Sequence, residues 1–174
     1  MKNLKLMGLL MLVLTLNSCW QIEEPCCTAP FRESEYQAIT LQREVFESTV
    51  QLIEHKTLIE NAGKIYIKDN LLFINDKYKG FHVYDNTNPE TPKKINFINI
   101  PGATDMAIGN NIIFVNQATD LISLEYLFSE QSMTVAKRIK NVFPELYSPD
   151  GYHEYGINDD EIVVDWKLKT FKIN

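Results

Sequence analysis

Residues 63–92 read GKIYIKDNLLFINDKYKGFHVYDNTNPETP, and two short runs within that stretch decide the fold class. Ile65-Tyr-Ile67 and Leu71-Leu-Phe-Ile74 are β-branched, aliphatic and aromatic, and the polar triplet Lys68-Asp-Asn70 separates them. Runs of this length and composition joined by so tight a polar turn are a hairpin signal. Gly80-Phe-His-Val-Tyr-Asp85 supplies a third strand, and the loop Asn86-Thr-Asn-Pro-Glu-Thr-Pro92 leads into a fourth at Lys93–Ile100. Asp85 and Asn88 suit turn formation better than ligand binding.

The texture then recurs. Moving 41 positions along sets Asn70 on Asn111, Phe73 on Phe114, Ile74 on Val115, Asn75 on Asn116, Val83 on Leu124 and Ile98 on Ile139. A β repeat of about 40 to 45 residues has the size of a four-stranded propeller blade. One such sheet has two faces and buries neither alone, so blades must stack and share cores. Glu161-Ile-Val-Val-Asp-Trp166 reads as the start of a third copy, eight residues before the last residue. The expected fold is therefore mainly β: incomplete propeller-like blades, four-stranded and antiparallel with a period of about 41. A short helix from Thr40 to about Ile53 is expected to precede them, with Thr40 as N-cap and Leu41, Val45, Thr49 and Leu52 at helical spacing.

Gly80, Val83-Tyr-Asp85, Asn88-Pro89 and Pro92 resemble the repeat of the LVIVD-repeat bacterial lipoproteins, an uncharacterised β-propeller-like surface family. Ile98-Asn-Ile-Pro-Gly102, Val142-Phe-Pro-Glu145 and Ile162-Val-Val-Asp-Trp166 are also similar to members. The resemblance covers roughly residues 40–168. The second copy departs from it, with Tyr126-Leu-Phe-Ser-Glu-Gln-Ser-Met133 in place of the Asp and Asn-Pro-x-x-Pro positions. Family members usually carry further repeats, so the resemblance implies a short or truncated member, or one that completes its sheet packing with a partner.

The N-terminus carries its own message. Lys2 and Lys5 precede an apolar run, Leu6–Leu16, broken only by Gly8 and Thr15. A charged start and a short apolar core define a secretory signal. As a helix that run spans roughly 17 Å, against about 30 Å of hydrocarbon, so a permanent span is not expected. Leu16-Asn-Ser-Cys19 resembles a bacterial lipobox, which implies cleavage after Ser18 and attachment of diacylglyceryl and acyl chains, palmitate among them, at Cys19. Two or more such chains anchor firmly where one does not. Glu23 and Glu24 are similar to an acidic surface-export signal, or are simply part of a solvated tether. Cys26-Cys27 has no third cysteine to join it after Cys19 is used, and a vicinal pair is strained. No function is assigned to it.

The expected organisation is a signal peptide at 1–18, a tether at 19–39 containing Pro25 and Pro30, a short helix and lead-in at 40–62, and an incomplete β-repeat domain at 63–174. The full chain carries 17 basic and 23 acidic side chains, a net of -6, and without Lys2 and Lys5 the balance is 15 against 23, or -8. Such a surface disfavours nucleic acid and anionic lipid heads, both of which demand clustered Lys and Arg.

Chemistry-bearing motifs are sparse. His55, His82 and His153 lack the spacing of a zinc site, and no phosphate loop, dinucleotide fingerprint or nucleophile elbow occurs. His82 is expected to point to the opposite face from Phe81 and Val83. The richest stretch, 147–166, holds Tyr152, His153, Glu154, Tyr155, Asp159, Asp160 and Trp166. Rings beside carboxylates suit a sugar, and the acidic run before Ile162 has oxygen chemistry for Ca²⁺. The plainer reading is an inter-blade loop ending in the turn Asn158-Asp-Asp160.

These features together lead us to expect a lipid-anchored protein of the bacterial envelope, at the outer membrane or cell surface. It would bind a protein or glycan partner, with no cofactor, metal or catalytic residue assigned. An envelope glycan-active enzyme using the 147–166 loop, and a truncated product without function, are the alternatives.

Overall fold

In the computed structural model residues 33–54, 58–110 and 112–170 are described; the lipobox Cys19, the pair Cys26-Cys27 and His55 lie outside them. Among the described residues there are three antiparallel sheets, none closed on itself. Strands β3 (Ala62–Lys68), β4 (Leu71–Asp76), β5 (Gly80–Asp85) and β6 (Lys93–Asn99) form a meander, extended at its outer edge by β2 (Gln51–Glu54). A second meander follows from β7 (Ala103–Gly109), β8 (Ile112–Gln117), β9 (Asp120–Leu127) and β10 (Ser132–Ile139). The third sheet is a ribbon in which β1 (Tyr36–Gln42) pairs with β11 (Glu161–Leu168).

The turns follow the polar punctuation. Lys68 faces Leu71 across the two-residue turn Asp69-Asn70, with Asp69 at φ 52. The Asp85 carboxylate accepts from the Thr87 amide at 2.9 Å and the Thr87 hydroxyl at 2.6 Å. Asn88 Oδ1 accepts from the Glu90 amide at 3.1 Å. Both side chains make the local turns that their residue types favour. Gly80 ends the β4–β5 connection at φ 142, where a Cβ would sit 2.0 Å from the Ile98 carbonyl oxygen. No other residue type fits there without displacing a strand.

One core joins the two meanders, with Phe73, Phe81, Val83 and Ile98 from the first and Met106, Ile113, Val115, Ile122 and Leu124 from the second. The register exposes a relationship between the sheets. In the first, the row Tyr66–Phe73–Val83–Asn96 faces this core, and Ile65–Ile74–His82–Phe97 lies on the other face. In the second, Met106–Val115–Ile122–Arg138 faces the core, and Ala107–Phe114–Ser123–Lys137 turns away. Residue by residue, the offset is 41 on β3, β4 and β6, and 40 on β5. The core-facing row of the first sheet thus corresponds to the outward row of the second. Two sheets stacked in the same orientation give this relation; a sandwich of facing equivalent surfaces does not. It also explains why Phe73 is buried while Phe114 is 39% exposed.

His82 lies, as expected, on the face opposite Phe81 and Val83, but it is fully buried. Its Nε2 is 3.3 Å from Asp76 Oδ2, and its ring lies 4.6 Å from that of Phe97.

The region before β3 departs from expectation. Instead of a helix from Thr40 to Ile53, only Arg43–Ser48 is helical (α1), between strands β1 and β2. Thr40 is not its cap: Gln42 holds that position and makes no side-chain capping bond. Thr49 and Ser48 turn their hydroxyls back onto the Phe46 and Val45 carbonyls at 2.9 and 3.0 Å, closing the helix after six residues. Leu41 pairs with Ile162 and Leu52 with Ile98; cross-strand partners far away in sequence override local spacing. The tether expected at 19–39 likewise ends early, since Tyr36–Ile39 belong to β1. Among the described residues, no helix is long and apolar enough to cross a membrane.

Candidate functional site

The segment from Val142 to Asp160 carries no regular secondary structure, yet it is pinned at several points. Trp166 Nε1 donates to the Leu146 carbonyl at 3.3 Å. Asp150 accepts from the hydroxyls of Ser34 and Ser148 and from the Glu35 amide, at 2.6 to 2.9 Å. Burial pushes the Asp150 carboxyl up, but these donors outweigh it and hold its pKa below the usual range. Tyr152 exchanges hydrogen bonds with Ser148, its amide donating to Oγ at 2.7 Å and its carbonyl accepting at 2.9 Å. Ser34, Glu35 and β11 thereby hold the loop in one shape.

On that scaffold three rings cluster. His153 lies 5.6 Å from Tyr147 and 5.0 Å from Tyr155, and its Nε2 is 2.5 Å from Glu145 Oε2. Tyr147 and Tyr155 are 56% and 83% exposed. Glu145 also borders a cavity of about 380 Å³, together with Arg43, Asn141, Asn158, Asp159 and Glu161. Through Glu145, the His153 side of the ring cluster thus meets a recess lined by carboxylates, amides and a guanidinium. A larger groove of about 720 Å³ opens between the β3–β4 and β7–β8 turns, but Leu71, Phe73, Ile108, Ile113 and Leu127 dominate its walls. Lys68, Asp69, Asn110, Glu125 and Ser129 also line it, and its surface is the more apolar of the two.

The sequence-derived residues divide accordingly. His153 and Tyr155 are in the ring cluster, and Asp159 lines the recess. Tyr152 and Glu154 are half-buried, and Tyr152 serves the loop's own fold. Asp160 gives its carbonyl to the Arg43 amide at 2.6 Å. Trp166 is buried, so it braces the loop rather than presenting a surface. Glu161 accepts from Gln42 and from the Asn158 amide, and among the described residues no three His, Cys, Asp or Glu converge as a metal site. Tyr147, Glu145, Arg43 and Asn141 extend the site beyond the residues picked from sequence. Of these, only Tyr147 and Glu145 carried a signal, as large polar groups between Pro144 and Pro149.

Arg43 is committed elsewhere as well. It and Arg138 both donate to the buried Asp120 carboxylate, at 2.7 and 2.8 Å, and both lie over the Phe46 ring at 5.4 and 5.3 Å. That knot holds Arg43 where it lines the recess.

Comparison with protein-family models, curated proteins and solved structures gives no match to this chain.

Proposed function

We propose that this is a lipid-anchored protein of the bacterial envelope whose propeller-like β repeats present a glycan-binding site. The observation that carries the reading is the Tyr147–His153–Tyr155 cluster, with both tyrosines exposed, joined through Glu145 to a recess lined by Asn141, Asn158 and Asp159. A pyranose has apolar C–H faces that stack on aromatic rings and equatorial hydroxyls that exchange hydrogen bonds with carboxylates and amides. The loop backbone that carries the rings is pinned through Trp166, Asp150 and Ser148, which lowers the entropy lost on binding. The identically oriented sheets support the propeller-like description, and Leu16-Asn-Ser-Cys19 supports the anchor.

Electrophoresis through gels containing soluble polysaccharides tests the binding half. At least one neutral polysaccharide retards the native protein, and Tyr155→Ala or Tyr147→Ala removes the retardation with the fold intact. Retardation by none, or retardation that survives both substitutions, overturns the site. Shortening of the bound polysaccharide in the same assay makes it an envelope glycan-active enzyme instead. Intact mass of membrane-extracted protein tests the anchor; a mature Cys19 without acyl mass removes it.

A further inference from the structure

We infer that copies of this chain associate head to tail, the second copy stacking its β3–β4 surface on the outward face of the β7–β10 sheet. The argument starts from the internal interface. There Met106 and Ile108 of β7 share one core with Leu71 and Phe73 of β4. Moving back 41 residues from Met106 and Ile108 gives Ile65 and Ile67; moving forward 41 from Leu71 and Phe73 gives Ile112 and Phe114. Each protomer therefore carries both halves of that contact a second time, unused.

The burial pattern matches. Ile65 and Ile67 are 62% and 66% exposed, and Phe114 is 39% exposed with Ile112 half-buried. Elsewhere the outer face of the first sheet is covered: His82 and Phe97 are buried, and Phe97 and Asn99 border a small recess shared with Ile39, Leu41 and Val164 of the ribbon. Exposure on that face is thus concentrated where the counterpart of the internal contact lies. Among the described residues β3 is also the edge of its sheet, and an uncovered edge with apolar side chains is a pairing hazard that folded proteins normally cover. The occupant is a second copy because the two patches differ from each other and are complementary by the repeat itself. An association of unlike patches is heterologous, building rings or open chains rather than closed two-fold dimers.

Sedimentation velocity of the full chain in density-matched detergent tests this. Native protein shows a concentration-dependent series of oligomers. The Ile65→Lys/Ile67→Lys double variant and the Phe114→Lys variant, each with native near-UV circular dichroism, are monomeric alone, and their equimolar mixture stops at one-to-one dimers, because each still carries one intact patch. Should a lysine variant misfold, Ile67→Ala and Phe114→Ala replace it and weaken association roughly tenfold. A monomeric native protein, a Phe114→Lys variant that assembles normally, or a mixture that stays monomeric overturns the inference.

Discussion

Nη1 of Arg43 lies 2.7 Å from Oδ2 of Asp120, across 77 residues of sequence. Arg138 reaches the same oxygen at 2.8 Å, and the Asn141 amide reaches Oδ1 at 3.1 Å. One carboxylate with no exposed side-chain surface thereby ties α1 to the second sheet and to the start of the candidate site's loop.

Removing that carboxylate leaves two guanidiniums facing each other in a poorly hydrated place. Asp120→Ala is expected to cost about 3 to 5 kcal/mol in urea unfolding, and Asp120→Asn less. Burial pushes this carboxyl up, but the Arg138, Arg43 and Asn141 donors outweigh it and hold its pKa below the usual value. Its stabilising contribution is therefore present above about pH 4, the unfolded carboxyl value, and is lost as pH falls through the lower folded value. The variant loses that acid-side slope.

His82 sets a second pH dependence. Burial lowers its pKa, with Lys94 adding to the effect and the Asp76 hydrogen bond opposing it. The folded state binds fewer protons than the unfolded state, so stability falls as pH drops below about 6.5. His82→Leu is expected to flatten the urea midpoint between about pH 5 and 6.5. A midpoint that still falls there as in the native protein would place the titrating group elsewhere.

Tyr66 and Lys64 both donate to the Asp105 carboxylate, joining edge strand β3 to edge strand β7. Burial and the Asp105 hydrogen bond raise the Tyr66 pKa to about 12. Its contribution is complete below about pH 10, the unfolded value, and disappears as pH rises toward 12. Tyr66→Phe is expected to cost about 1 to 2 kcal/mol near neutral pH. It also removes a late-ionising tyrosine from an ultraviolet titration of the folded protein.

Two glycines give opposite outcomes. Gly80→Ala puts a methyl 2.0 Å from the Ile98 carbonyl oxygen at φ 142, and we expect a loss of more than about 3 kcal/mol. At Gly109 no atom of the described residues lies within 4 Å of the added carbon, and the change is expected to stay within about 0.5 kcal/mol. Equal losses at both would refute the steric account of Gly80.

The strands of the two meanders were legible because alternation and turn chemistry are local. Ile65 to Ile74 declares a hairpin by itself, and Asp85 and Asn88 declare their turns. The residues around α1 were not legible in that way. Leu41, Val45, Thr49 and Leu52 satisfy helical spacing, and only their remote partners Ile162 and Ile98 select strands for the two ends. The site was partly legible. His153, Tyr155 and Asp159 stood out by residue type, whereas Trp166 drew notice for the same reason and proved to be a brace. Arg43 and Asn141 carried no local mark, since their place at the recess follows from Asp120.

Composition, the 41-residue period and the turn residues determined that this chain is mainly β and where most of its strands begin, because each of those depends on neighbours a few positions apart. Tertiary structure alone decided which face of each sheet is buried, which carboxylate is clasped by two arginines and which rings of the long loop meet. Those outcomes depend on the direction in which one sheet stacks on the next. A period fixes how often a pattern returns, but only packing sets which of its two faces meets the neighbouring sheet.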